Sequence, residues 1–314
     1  MASIFTVSIF QSALELGCIY SLVALALFIS FSILNIADLT TDGCFTLGCA
    51  VGAMVTLAGH PVLAIFAGMA AGAAAGFVTA FLQTRLGVAS ILAGIIVNTG
   101  LYTINLMVMG FSSIANLFGN DTVFSVAKDR LENTFVGSWY KVLLVIVVVL
   151  IVGFALWWFL RTRLGMSIRA TGDNPDMVKS SSINPIFTTT VGLCLSNSLT
   201  ALSGVLIAQY QKSCDINIGT GMVTIALASL IIGETLVGKG GIGKRIFGVV
   251  VGSVLYRFIV AVALRLSVPA EALKLVSAII VAVAISLPHI KKLIAIERTK
   301  HLTMKKIKSA KEGR

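Results

Sequence analysis

Charged residues are scarce in this chain of 314 residues. They make up 12% of it, whereas hydrophobic residues make up 57%, and the mean hydropathy is +0.98. A soluble domain carries about 25% charged residues, so a water-facing surface could not be built from so few. The shortage excludes a globular soluble protein and predicts a polytopic membrane protein, with lipid as the solvent for most of the chain.

Other features that the chain lacks narrow its class further. The five cysteines show no CxxC spacing, and four lie in apolar runs, which predicts small buried side chains. The three histidines lie in loops or in the tail without a metal-type cluster, so a membrane metalloenzyme is disfavoured. Residues 1–11 contain no Lys or Arg, so no cleavable signal is visible. No segment is long enough for a separate ATPase domain, so any ATP-driven process needs another chain.

Nine apolar runs have the length that crosses a bilayer. A hydrocarbon core of about 30 Å takes roughly 20 helical residues. The predicted spans are 7–31, 43–59, 61–84, 88–110, 141–160, 186–209, 220–237, 246–264 and 271–288. We therefore expect an all-α membrane protein of about nine transmembrane helices (eight to ten), with a membrane domain over 1–290 and a basic cytoplasmic tail over 291–314.

The net charge of +11 is distributed as in a membrane protein and not as in a nucleic-acid-binding protein. Nine of the 24 Lys and Arg residues follow residue 290, and most others lie in short loops between apolar runs. Positive charge is retained on the cytoplasmic side of membrane proteins. This bias predicts a cytoplasmic C-terminus, a cytoplasmic loop over 161–185 and an N-terminus outside.

The segment from Leu34 to Gly43 separates two apolar runs. Its polar members are Asn35, Asp38, Thr40, Thr41 and Asp42. A continuous lipid-facing helix of this composition would be unfavourable by about 2.5 kcal/mol or more for each central Asp. Irregular backbone at membrane depth is tolerated only against protein or a water-filled cavity. Two interpretations stay open: a broken second helix that lines a transport pathway, or a cytoplasmic turn that caps the next helix at Gly43.

Two other patterns concern the helices themselves. Glycines at four-residue spacing, in the sets Gly48/Gly52, Gly68/Gly72/Gly76 and Gly248/Gly252, predict close helix packing. Ionisable residues inside spans need partners, and Glu234 with Arg257 is one candidate pair.

Residues 238–245 fit the G-x-x-x-x-G-K part of a phosphate-binding loop. Arg245 stands where a Ser or Thr would bind magnesium, and no strand or nucleotide domain surrounds the motif. We therefore expect a flexible basic loop here and no ATP site in this chain.

The polar island, residues 161–184, lies between two long apolar runs. Asp173 or Asn174 can cap a helix in which Pro175 occupies the first turn, followed by a favourable Asp176 and a terminal Lys179. Loops between helices usually have about 2–8 residues, so an island of this length predicts a docking element.

The polar island closely resembles the cytoplasmic loop of ABC importer permeases of the branched-chain amino acid and ribose type, the inner-membrane components of binding-protein-dependent transport. The family pattern is Arg-Ala-x-Gly-x-Asn-Pro, then a short helix that ends near Gly-Ile-Asn. Here it stands as Arg169-Ala170-Thr171-Gly172-Asp173-Asn174-Pro175 and ends at Ser182-Ile183-Asn184. Two positions depart from it: Val178 where the family usually has Ala, and Ser182 where it usually has Gly.

The resemblance extends over most of the chain. Residues 17–27 look like the family's opening span, 34–43 like its broken second helix and 233–252 like its glycine-rich inner hairpin. The sequence of residues 38–43, Asp-Leu-Thr-Thr-Asp-Gly, looks like that of a subgroup of the family paired with lipoprotein-type binding proteins, some of which carry aromatic amino acids.

This resemblance implies a fold like that of the vitamin B12 importer permease, with two permease subunits around one pathway and a binding protein delivering solute from outside. We expect two identical subunits, although a pair of different permeases stays open. A separate ABC ATPase would bind ATP and magnesium, leaving this chain without a cofactor. The implied ATPase-coupling residues are Arg169, Ala170, Gly172, Asp173, Asn174, Pro175 and Ile183. The implied pathway residues are Asn35, Asp38, Thr40, Thr41 and Asp42.

We predict the membrane subunit of an ATP-driven importer in a bacterial cell membrane, which is itself not an enzyme. Its cargo would be a small organic solute, with aromatic and branched-chain amino acids as candidates. The alternative is a secondary transporter driven by an ion gradient, with Asp38, Asp42 and Glu234 as coupling carboxylates. That alternative needs no ATPase.

Overall fold

The computed structural model describes residues 7–131, 139–238 and 240–265, with a few isolated positions between 275 and 286. The predicted ninth span, 271–288, lies almost entirely outside the described residues, and the tail at 291–314 lies wholly outside them. The other eight predicted spans can be compared with the structure.

The described residues are mainly helical. The helices are α1 (Val7–Leu27, continued by a π-helical segment over Phe28–Ile33), α2 (Thr41–Leu57), α3 (Pro61–Thr84), α4 (Ser90–Val108), α5 (Val123–Leu131), α6 (Tyr140–Phe159), α7 (Arg163–Asp173), α8 (Pro175–Ser180), α9 (Pro185–Gln211), α10 (Met222–Val237) and α11 (Ile242–Arg265). Six of these helices are long and apolar enough to cross a membrane, while α2 and α10 are apolar but shorter. All eight comparable spans coincide with a helix, which confirms an all-α polytopic membrane protein.

Helices α1 and α9 form the centre of the bundle and run antiparallel. Ser203 donates to the carbonyl of Ile19, and Ser196 donates to the carbonyl of Ala26, each over 2.8 Å. Ser203, which lies later in α9 than Ser196, contacts the earlier residue of α1. The two helices therefore run in opposite directions. Helices α3, α4 and α6 lie at the periphery and expose apolar side chains such as Phe66 and Phe154, as expected where lipid is the solvent.

The helices repeat in two runs of the same pattern. A long central helix is followed by irregular chain, a short helix and a long helix: α1, α2 and α3 in the first run, and α9, α10 and α11 in the second. The short helices have 17 and 16 residues, and the long helices that follow them have 24 each. Because α1 and α9 are antiparallel, the two runs have inverted orientations, an arrangement found in many transporters.

The predicted glycine seams are contact surfaces. Gly48 faces the backbone of Ala201, Gly72 faces that of Asn197, and Gly252 faces that of Ser229, each so closely that a β-carbon would collide with main-chain atoms. Helices approach this closely only through small residues. The prediction of close packing at these glycines is therefore confirmed.

A small two-stranded sheet was not predicted. Strand β1 (Ile114–Asn116) follows α4 and pairs antiparallel with β2 (Ser213–Asp215), which follows α9, with Ala115 opposite Cys214. Segments of three residues carry too little periodicity to be recognised in a sequence. The sheet joins the chain after α4 to the chain after α9.

Candidate functional site

Two helices form in the polar island, each with a side-chain cap. Thr162 accepts from the amide of Gly165 at the start of α7 over 3.2 Å. Asn174 Oδ1 accepts from the amides of Asp176 and Met177 at the start of α8, over 3.1 Å each, and Pro175 occupies the first helical position. The predicted short helix is confirmed, with Asn174 rather than Asp173 as its cap. Helix α7 was not predicted.

Buried contacts attach the polar island to the membrane helices. Ile168 and Val178 are fully buried, and the hydroxyls of Thr171 and Thr188 lie 2.7 Å apart. Gly172 lies against the backbone of Ile33, where a β-carbon would collide with the carbonyl oxygen. The island therefore contacts the end of the π-helical segment directly.

The outward surface of the island is polar and accessible. Arg169, Asp173, Asn174 and Pro175 are exposed, whereas Ala170, Gly172 and Ile183 are half-buried. An exposed ion pair joins Asp176 to Lys179 over 3.3 Å. The predicted coupling residues thus share one short stretch of backbone, partly anchored and partly free to contact another macromolecule.

The two departures from the family pattern have different surroundings. Val178 is fully buried, so the larger side chain is accommodated inside the packing. Ser182 has a φ of 59°, in the left-handed region that glycine adopts most readily after a helix. Glycine, the residue that is usual in the family, would therefore suit this backbone better than the serine does.

The chain between α1 and α2 is irregular and returns deep into the bundle. Asp38 is buried and accepts from Asn197 Nδ2 over 2.8 Å, and the hydroxyls of Thr40 and Thr79 lie 3.0 Å apart. Asn197 lies about 18 Å along α9 from Pro185, at 1.5 Å per residue, which is near the middle of that helix. The break therefore lies at mid-helix depth and not at the end of α9, and α2 begins at Thr41 rather than Gly43.

The five predicted pathway residues have unlike environments. Asp38, Thr40 and Thr41 are buried against neighbouring helices, Asn35 is exposed with a φ of 57°, and Asp42 is half-buried. They are brought together by the chain but do not face one common space.

Asp42 joins the starts of two short helices. It lies in the first turn of α2, and its carboxylate accepts from the amides of Gly221 and Val223 at the start of α10, over 3.0 and 2.9 Å. Gly221 has no side chain to cap its own helix, so Asp42 supplies the missing acceptor. The two inverted short helices therefore meet at this carboxylate.

A polar cavity of about 200 Å³ lies beside this junction. It is bounded by α2, by α4 and by the chain that enters α10, and its lining residues are Asp42, Gly43, Thr46, Asn98, Thr99, Tyr102, Asn105, Ile216, Asn217, Gly219 and Thr220. The larger pockets around the described helices have almost wholly apolar linings, as lipid-facing grooves do. We call this space the junction cavity.

Most residues of the junction cavity were not predicted as a site. Asn98 and Asn105 are polar residues within α4, and Asn105 forms an interhelical hydrogen bond, in which its Nδ2 donates to the carbonyl of Gly43 over 3.2 Å. Their spacing with Tyr102 places three polar side chains on one face of an otherwise apolar helix. That face is the signal from which the cavity could have been recognised.

The predicted pair of Glu234 with Arg257 is wrong. Glu234 on α10 forms its ion pair with Arg245 on α11 over 2.6 Å, and both side chains reach Ser32 of the π-helical segment. Arg257 instead lies over the ring of Tyr20, 3.7 Å from its centroid. The expectation of a basic loop over 238–245 is therefore wrong for its last four residues, because α11 begins at Ile242 and Arg245 makes a helix-to-helix contact.

Residues 9–285 match the family described as the permease component of branched-chain amino acid transport systems. The chain belongs to this family. It is 33% identical over 302 residues to the tyrosine transport system permease protein of Clostridioides difficile, covering 96% of this chain and 98% of that one. It is 32% identical over 283 residues to an uncharacterized protein of Rickettsia prowazekii (89% and 97%), and 29% identical over 231 residues to the ribose import permease of Escherichia coli (71% and 67%). No solved structure matches it.

Membership in this permease family makes the chain a membrane subunit of an ABC importer, and not an enzyme itself. It favours the ATP-driven importer over the ion-gradient alternative. The three carboxylates of that alternative already have partners: Asp38 accepts from Asn197, Asp42 from α10, and Glu234 pairs with Arg245. Permeases of this family imply an ATPase and a substrate-binding protein as partners.

Proposed function

We propose that this permease imports an amino acid with an aromatic side chain, in a complex with a cytoplasmic ABC ATPase and an external binding protein. A relative that is aligned over nearly the whole of both chains is a tyrosine transport permease. The lipoprotein-type binding-protein subgroup suggested by residues 38–43 is consistent with such a cargo.

The coupling path starts at the polar island. The ATPase, which carries ATP and magnesium, binds the exposed surface around Arg169 and Asn174. The observation that carries this proposal is the backbone contact between Gly172 and Ile33. This contact joins the polar island to the π-helical segment, and the irregular chain at residues 34–40 comes directly after that segment. Movement of the island is transmitted to that break and to Asp42 beyond it.

The complex contains two copies of the permease around one pathway, in the manner of the vitamin B12 importer. The inverted runs of helices support this fold. The N-terminus lies outside and the C-terminus inside, which places the island in the cytoplasm. Residues Asn35 to Asp42 contribute to the pathway, with Asp42 facing the junction cavity.

The test is Arg169→Glu, with Arg169→Lys as the matched control. Arg169 is exposed, so neither variant should affect membrane insertion. We expect Arg169→Glu to reduce co-purification of the ATPase and ATP-dependent uptake of L-tyrosine into vesicles by about tenfold, the size of a central interface contact. Arg169→Lys should retain both. Full co-purification and uptake with Arg169→Glu would contradict the docking assignment.

A further inference from the structure

The junction cavity holds an acceptor without a donor. Asn105 is 1% exposed, and its Nδ2 is bonded to the carbonyl of Gly43. Its Oδ1 has no hydrogen-bond partner among the residues that the structure describes. A buried acceptor left without a donor is unfavourable by about 1–3 kcal/mol, and Asn105 lines the junction cavity, so a donor that enters from the cavity and reaches this atom would remove that cost.

The charge of the lining points to the same kind of ligand. Among the described residues that line the cavity, Asp42 is the one formally charged side chain, and Lys, Arg and His are absent from that set. Its two contacts with α10 leave lone pairs on a carboxylate that can accept several hydrogen bonds. A cationic donor satisfies both Asp42 and Asn105 more strongly than a neutral one does.

The remaining lining suits the rest of an amino acid. Tyr102 carries a phenolic hydroxyl that can donate to a carboxylate, whereas the hydroxyls of Thr46 and Thr99 already donate to the carbonyls of Asp42 and Ile95. Tyr102 is half exposed, so a side chain leaving the cavity would pass an aromatic ring. A space of about 200 Å³ accommodates the head group of the solute within the protein.

We propose that the junction cavity recognises the α-ammonium group of the transported solute through Asp42 and Asn105, and so selects amino acids over sugars and carboxylic acids inside the permease itself. This inference rests on the proposed function in one respect, that the solute crosses through this subunit. It adds a selective step to the one made by the binding protein.

The first test measures the local charge preference without any transport. The Thr99→Cys variant of the full permease–ATPase complex is placed in phosphatidylcholine vesicles, with no primary amine in the lipid or the buffer. It is labelled with the cationic reagent aminoethyl methanethiosulfonate or with the anionic sulfonatoethyl analogue. The unsubstituted chain, whose cysteines are buried or half-buried, provides the blank. We expect the cationic reagent to react at least about tenfold faster, which corresponds to about 1.4 kcal/mol.

Matched variants identify the groups responsible. Adding Asp42→Asn should bring the two labelling rates close together, and adding Asn105→Asp should widen the difference because it places a second carboxylate in the cavity. If the Asp42→Asn complex fails to assemble, the Asn105→Asp complex still tests the proposal, because its labelling difference is expected to increase rather than decrease. Equal rates in the Thr99→Cys protein, or faster anionic labelling, would overturn the proposal.

The second test identifies the ligand group. L-phenylalanine and 3-phenylpropanoate differ only by the ammonium group. We expect phenylalanine to slow labelling of Cys-substituted Thr99 and phenylpropanoate to leave it unchanged. Equal protection by both, or by neither, would refute ammonium recognition. ATP-dependent uptake of L-tyrosine is measured on the same vesicles, so loss of the proposed transport function would be seen separately from loss of cavity selectivity.

Discussion

Helices α8 and α10 begin in the same chemical way and in opposite surroundings. At each start one side-chain group accepts two backbone N–H bonds: Asn174 for α8 and Asp42 for α10. The Asn174 cap is exposed and comes from the residue directly before its helix. The Asp42 cap is half-buried and comes from α2, about 180 positions earlier in the chain.

The comparison separates local from global stabilisation. A local cap orders a few residues of its own helix and leaves the rest of the fold unaffected. A remote cap holds two helices together, so it transmits the position of one to the other. In this permease the exposed docking surface uses the first kind, and the place where the inverted helices meet uses the second.

The largest effect is expected for Asp42→Ala. This change leaves two backbone donors at the start of α10 without their acceptor, and we expect the free energy of unfolding to fall by about 2–3 kcal/mol. Denaturant titration of the purified permease in mixed micelles measures it. Asp42→Asn, which retains one acceptor oxygen, should lose about half as much. If Asp42→Ala lowered the free energy of unfolding by less than Asn174→Ala does, burial would not explain the difference between the two caps.

A smaller loss is expected for Asn174→Ala. The two amides of α8 are exposed and can bond to water instead, so the loss should be about 1 kcal/mol. The same titration measures the change, and limited proteolysis within the polar island should detect fraying of α8. Asn174→Ser, which keeps a capping oxygen, is the control and should remain close to the parent.

The smallest effect, with the opposite sign, is expected for Ser182→Gly. Its φ of 59° favours glycine, so the substitution should stabilise the permease by about 0.5 kcal/mol. The neighbouring Ser181→Gly is the matched control, because Ser181 has an ordinary φ of −88° and glycine there should destabilise. Equal shifts for both substitutions in thermal unfolding would contradict a conformational cause.

The sequence predicted those features whose signals are local. The spans follow from apolar runs, and α3 begins and ends at its predicted residues. The α8 cap follows from Asn174 beside Pro175. Helix α7 escaped prediction because Gly165 and Gly172 are poor helix formers, and tertiary contacts through Ile168 stabilise it instead.

The junction cavity could not be predicted in the same way, because its residues come from three separate segments. No pattern near Asp42 reveals that residues 221–223 lie beside it. The wrong partner for Glu234 has the same origin: several arginines were available, and only the packing of α10 against α11 selects Arg245. Pairing between distant segments depends on the completed fold.

The π-helical segment at Phe28–Ile33 has a consequence for how the length of the chain can vary. Leu34 donates to the carbonyl of Ile29, five residues back rather than four, so this turn contains one residue more than an α-helical turn would. Removing one residue here would restore regular α-helix while leaving the flanking side chains on their present faces. The same deletion within α9 would rotate all following side chains by about 100°. Single-residue deletions in this central pair of helices are therefore tolerated best at the π turn.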